Sequence, residues 1–150
     1  MKQRDFTAYC GLYCKDCIRY QSRASELADE LLKEIERTKF TEYANVKRSH
    51  KKGFENFNTF IPVLKVISGI NCENPCRSGG DGCEGECEII KCVRGKEFEG
   101  CWECGEFEHC DKFDFLKPFH GEAPLNNLRK IKKLGIDNWA KAREKCYPWL

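Results

Sequence analysis

At 150 residues, with a formal net charge of +2 and 12 cysteines, the chain is sized for one domain, and its charge neither demands nor excludes a nucleic-acid partner. It contains no low-complexity tract, no clear internal repeat and no apolar run long enough to cross a membrane. Eight of the 12 cysteines crowd into the stretch from Cys72 to Cys110, and three more sit between Cys10 and Cys17.

Residues 10–17 read CGLYCKDC, a Cys-x3-Cys-x2-Cys arrangement. Two thiolates from one tight turn can point at one ion, with backbone amides nearby to share the charge. The same spacing serves radical S-adenosylmethionine enzymes, in which three thiolates hold a [4Fe–4S] cluster. Those enzymes carry it on a long barrel of alternating strands and helices, a pattern absent here.

The helical part is expected over residues 18–70. Ala24, Leu27, Ala28, Leu31, Leu32 and Ile35 recur at three- and four-residue steps and predict a helix from Ile18 to about Thr38 whose apolar face is core. Phe40, Tyr43 and Val46 continue a weaker pattern. Lys47, Arg48, His50, Lys51 and Lys52 read as a solvated basic helix end. Phe54, Phe57, Phe60, Ile61, Leu64 and Ile67 predict a further helix packed on the first, starting or kinked near Pro62 and stopping at Gly69.

The metal-binding part is expected over residues 72–110. Its large apolar side chains are few: Ile89, Ile90, Val93, Phe98, Trp102 and Phe107. A hydrophobic core this small does not order such a segment without crosslinks. A structural zinc supplies roughly 10–16 kcal/mol of folding free energy, against about 2–4 kcal/mol for a disulfide. Cys72-x3-Cys76, Cys83-x3-Cys87 and Cys101-x2-Cys104 have the spacing of metal knuckles. The opening MKQRDFTAYC has no apolar run resembling a secretory signal. The expected location is therefore cytoplasmic, where structural disulfides are rare. Metal is expected over disulfides, with zinc the first choice and an iron–sulfur cluster the alternative. The expected ligands are Cys10, Cys14, Cys17, Cys72, Cys76, Cys83, Cys87, Cys92, Cys101, Cys104 and Cys110. His109 is a further ligand candidate, while Cys146 stands apart as a free thiol.

Arg77–Gly82 (RSGGDG) predicts a flexible loop. Cys87 to Arg94 predicts a short helix ended by Gly95. Trp102 is expected to shield the knuckle that contains it. A helix opened by Pro124 and ended by Gly135 carries Leu125, Leu128, Ile131 and Leu134 on one face. Asp137 is expected to cap a last helix within residues 124–147. The fold class is thus mostly α: a small cysteine-rich, metal-stapled domain, with amphipathic helices around zinc knuckles and little or no regular sheet.

The opening Tyr9-CGLYCKDC with Tyr20 resembles the start of an uncharacterised prokaryotic cysteine-rich family, domain of unknown function 3795. So do Cys72-x3-Cys76-Arg77, Cys83-x3-Cys87-x-Ile89-x2-Cys92, Cys101-x2-Cys104 and Cys110, and the stretch Asn126–Lys145 is similar to the family's ending. Phe98–Gly100 departs from a Gly-Val step expected there. The resemblance implies metal binding at these cysteines and names no reaction.

On the function side, all-thiolate zinc sites are closed and leave no position for substrate. The first expectation is therefore a structural zinc module for interaction or scaffolding, with a protein partner favoured over nucleic acid. An iron–sulfur or thiol redox protein is the alternative. A nucleic-acid module ranks last, because Glu73, Asp81, Glu84, Glu86, Glu88, Glu97, Glu99, Glu103, Glu106 and Glu108 make the cysteine cluster acidic. No nucleophile motif, phosphate loop or paired-carboxylate pattern stands out, so no enzyme is predicted.

Overall fold

A computed structural model describes residues 2–80, 82, 83, 85–145 and 147; the reading of Cys146 as a free thiol lies outside them. Among the described residues the structure is mostly helical and contains no regular strand. An isolated antiparallel bridge pairs Thr7 with Tyr13. The helices are α1 (Ile18–Gln21), α2 (Ala24–Arg37), α3 (Phe40–Lys47), α4 (Phe57–Gly69), α5 (Glu88–Gly95), α6 (Lys117–His120) and α7 (Ala123–Leu134), joined by short 3-10 turns. None of them is long and apolar enough to cross a membrane. The chain divides into two compact units, one of residues 1–21 with 72–150 and one of residues 22–71.

The smaller unit holds α2, α3 and α4. Ala28 and Ile35 of α2 and Leu64 of α4 are its buried centre, with Leu32, Phe40, Phe57, Ile61 and Ile67 packed around them. The Ser25 hydroxyl donates to the Ser68 carbonyl at 2.6 Å, which sets the start of α2 beside the end of α4 and makes the pair antiparallel. The helix expected from Ile18 is interrupted at Ser22–Arg23. There the Ser22 hydroxyl accepts the N–H of Ala24 at 3.0 Å, a local bond that competes with helix continuation. The buried stripe of α2 is also narrower than its apolar pattern, since Leu27 and Leu31 are 52% and 43% exposed. α4 starts at Phe57 and runs through Pro62 to the expected stop at Gly69; Phe54, read as part of its pattern, lies instead in the 3-10 turn Lys52–Asn56 before it.

The larger unit is built around Trp139, which is fully buried. Its indole N–H donates to the Thr7 hydroxyl at 3.0 Å, and its ring meets Tyr13 edge-on with centroids 5.9 Å apart. Leu125, Leu128 and Ile131 of α7 and Ile89 and Val93 of α5 join the same core, with Phe6, Leu12, Trp102, Phe107 and Phe113. The few apolar residues of the cysteine-rich stretch are therefore completed by both ends of the chain. α5 and α7 end at Gly95 and Gly135 as their sequences predict. The last expected helix is a 3-10 turn at Trp139–Ala142 preceded by Asn138. Asp137, read as its cap, instead pairs with Arg4 at 3.2 Å. Gly11 turns the chain between Tyr9 and Leu12 at φ +85, and a Cβ there would sit 2.6 Å from the Pro124 carbonyl.

Candidate metal centre

The two Cys-x2-Cys knuckles share one backbone form. Cys14–Asp16 and Cys101–Glu103 are 3-10 turns. In each, the N–H of the second cysteine donates to the carbonyl of the first at 3.0 Å, Cys17 to Cys14 and Cys104 to Cys101. The short i→i+3 ring places both thiols on one side of the turn. A third 3-10 turn starts at Cys76, so the loop expected over Arg77–Gly82 begins later than the sequence suggests. Cys87 sits at the N-terminal end of α5 and Cys92 within it.

Backbone bonds bring distant knuckles together. The N–H of Cys72 donates to the Arg19 carbonyl at 3.1 Å, next to the Cys14–Cys17 knuckle. The N–H of Cys101 donates to the Tyr9 carbonyl at 3.1 Å, next to Cys10. The described cysteines are all free thiols, and they fall into two groups within the larger unit. Cys14, Cys17, Cys72, Cys76 and Cys83 are close enough to act on one another electrostatically. Cys92, Cys101, Cys104 and Cys110 form the second group, around Cys101. Cys10 and Cys87 lie between the two. Cys10 interacts with Cys76 and Cys83 on one side and Cys101 on the other, and Cys87 with Cys76, Cys83 and Cys101.

This crowding makes thiolates costly. Burial first, and neighbouring thiols second, push Cys14, Cys76 and Cys101 from the ordinary 9.0 up to about 12. Cys83 is exposed as a residue, yet the atoms packed around its sulfur and the neighbouring Cys17, Cys72 and Cys87 bring it to about 11. Burial also holds Cys10 well above the ordinary value, against the Leu12 backbone N–H, which favours its thiolate. Burial raises Cys72 too. Only a compensating cation reverses such a shift for a whole group. Among the described residues no three His, Cys, Asp or Glu side chains converge closely enough to hold one ion as they stand.

The second group borders a cleft of about 410 Å³, lined by Cys92, Cys101, Cys104, Cys110 and His109 together with Ile89, Val93, Phe98, Phe107 and Phe113. The ammonium of Lys96 lies 3.9 Å from the Cys104 sulfur. Trp102, inside the Cys101–Cys104 knuckle, is buried as expected.

Two polar anchors of the knuckles escaped the sequence reading. Asp16, between Cys14 and Cys17, is 6% exposed and held by Arg143. Arg77, next to Cys76, donates from Nε to the Thr7 carbonyl at 2.9 Å. The position of Asp16 inside a knuckle, and the adjacency of Arg77 to Cys76, were the available signals.

A family described as a protein of unknown function (DUF3795) matches residues 6–115. That span takes in the nine cysteines of the two groups together with Cys10 and Cys87, and ends before Asn126–Lys145. No curated protein and no solved structure matches the chain.

Proposed function

The chain belongs to the DUF3795 family of proteins of unknown function, and we propose that it is a zinc-binding protein whose metal is structural and which serves as an interaction or scaffold module. One observation carries this reading: nine of the eleven described free thiols fall into two groups inside one compact unit, each containing the same Cys-x2-Cys 3-10 turn, with Cys10 and Cys87 between them. The donor set suits a borderline-soft, closed-shell cation. Ions at the first group would take their thiolates from Cys14, Cys17, Cys72, Cys76 and Cys83, and at the second from Cys92, Cys101, Cys104 and Cys110. Cys10 and Cys87 are available to either. Binding requires the thiols to lose protons and rotate toward one another. Zinc supplies the positive charge that offsets their mutual repulsion, and through it the turns are fixed.

The remaining residues supply the frame. Trp102 keeps water from the Cys101–Cys104 knuckle, the Lys96 ammonium tempers the charge at Cys104, and the Arg143–Asp16 pair holds the first knuckle in place. A cytoplasmic location fits thiols that stay reduced. A protein partner is favoured by the exposed apolar side chains of the smaller unit, among them Val46 at 75% and Val66 at 64% exposure.

An iron–sulfur cluster is the second reading. The cleft beside Cys92, Cys101, Cys104 and Cys110 has room for a body larger than a single ion. Elemental analysis with a visible spectrum, on protein purified without oxygen, separates the two. A colourless sample with at least two equivalents of zinc supports the structural reading. Iron with broad visible absorbance replaces it with the redox one, and a chain free of both metals overturns both.

A further inference from the structure

Three knuckles meet at Arg77. Its backbone belongs to the turn Cys76–Ser78. Its guanidinium lies 4.6 Å from the ring centroid of Tyr9 and 5.2 Å from that of Trp102, and its Nε is bound to the Thr7 carbonyl at 2.9 Å. Tyr9 directly precedes Cys10, and its own carbonyl holds the N–H of Cys101. Trp102 is inside the Cys101–Cys104 knuckle. The Nη2 atom is buried with no hydrogen-bond partner among the described residues. The head of this side chain is thus placed by two aromatic faces and a carbonyl, where a cation–π contact replaces part of the lost hydration. None of its hydrogen bonds among the described residues reaches a cysteine, so its effect on the thiols runs through the residues beside them.

Resting on the metal-binding reading above, we propose that Arg77 is a positioning residue that couples the two thiol groups, so that loading one with metal strengthens binding at the other. An ion held by Cys76 fixes the turn from which Arg77 projects. The fixed guanidinium then fixes Trp102, and Trp102 sets the backbone between Cys101 and Cys104. The path works equally in reverse, as a coupling free energy must. Cys10 and Cys87, which interact with thiols of both groups, place the groups side by side and make the path short. The planar fork of arginine is what spans two rings and a carbonyl; a lysine ammonium is a point charge and does not.

The test is a cobalt(II) titration of the reduced, metal-free full chain, read by native mass spectrometry below saturation. The expected wild-type result is a mixture of metal-free and fully loaded protein, with partly loaded species minor. In Arg77→Met the partly loaded species become dominant, and the weaker group loses about tenfold in affinity, within the usual range for coupled sites. Arg77→Lys is expected to behave as Arg77→Met does while keeping the charge, and it carries the test alone if the methionine variant loses its helical content. A residue needed only for folding would instead lower total metal capacity while the loading pattern stays all-or-none. Stepwise loading of the wild type, or all-or-none loading of Arg77→Lys, overturns the coupling and leaves metal binding standing. A wild-type chain that takes up no cobalt overturns the metal reading and the coupling with it.

Discussion

Arg143 grips Asp16 with two parallel bonds, from Nε at 2.5 Å and from Nη2 at 2.6 Å. Asp16 is the residue before Cys17, so this fork clamps the C-terminal segment onto the first knuckle. Arg143 is itself fixed, donating from Nη1 to the Ala140 carbonyl at 2.6 Å and stacking 4.7 Å from the Tyr13 ring centroid. Bidentate arginine–carboxylate pairs are directional as well as strong, and this one decides which way the Cys14–Cys17 turn faces.

Replacing Asp16 by asparagine keeps the shape and removes the charge. Breaking a fully buried pair costs about 3–5 kcal/mol. The Asp16 side chain is 7% exposed but that of Arg143 is 23%, so a smaller loss of about 2 kcal/mol is expected. Urea unfolding of Asp16→Asn, Arg143→Met and the double variant measures it. If the double variant loses as much as the two single losses added together, the pair contributes no coupling and the clamp is wrong.

Much of the helical framework was legible because it is local. The stops at Gly69, Gly95 and Gly135 and the buried Leu125, Leu128 and Ile131 of α7 follow from short-range pattern, whereas Leu134, read on the same face, is 40% exposed. What sequence could not show is set by distance along the chain. Arg77 finds Thr7 across 70 positions and Arg143 finds Asp16 across 127, and no local periodicity marks either. The division of the cysteines depends on bonds such as Cys72 to Arg19 and Cys101 to Tyr9, which spacing alone leaves open. The break before α2 was hidden because Ile18 and Tyr20 extend its apolar pattern across Ser22.

Gly100 is where a methyl group would do most harm to the second knuckle. A Cβ there would lie 2.1 Å from the Trp102 ring, and the ring has Arg77 beside it. Gly100→Ala must push the indole away, at an expected cost of about 1–3 kcal/mol for overpacking. A lower thermal midpoint and a shift of tryptophan emission toward solvent are the expected signs. An unchanged midpoint and unchanged emission would show that the indole has room to move.

The two thiol groups predict a pattern of metal loss. In metal-saturated protein, Cys76→Ser removes a ligand of the first group and Cys101→Ser one of the second. Each is expected to lower zinc content by at least one equivalent and to destabilise the larger unit, since a structural zinc contributes folding free energy of roughly 10 kcal/mol or more. Elemental analysis of the folded fraction and circular dichroism on heating read both effects. Full zinc content and an unchanged melting temperature in either variant would count against that group.

Acid and base act in opposite senses on the metal-free and metal-bound protein. In the metal-free fold Cys14, Cys76 and Cys101 are raised from 9.0 to about 12, and Cys83 to about 11. The folded chain therefore keeps protons that the unfolded chain releases above pH 9.0. Stability from these thiols is fully present below that pH and is lost as pH rises through the folded values. With a chelator present, the urea midpoint is expected to fall steadily between about pH 9 and pH 12, and less steeply in Cys14→Ser, which removes one of the titrating groups. Zinc reverses the direction. Its ligands must be deprotonated, so lowering the pH releases the ion and destabilises the holo-protein, while alkaline conditions favour its retention. A metal-free midpoint that climbs above pH 9.0 would mean that these thiols are not held protonated by burial and by one another, and that the grouping is not the one described.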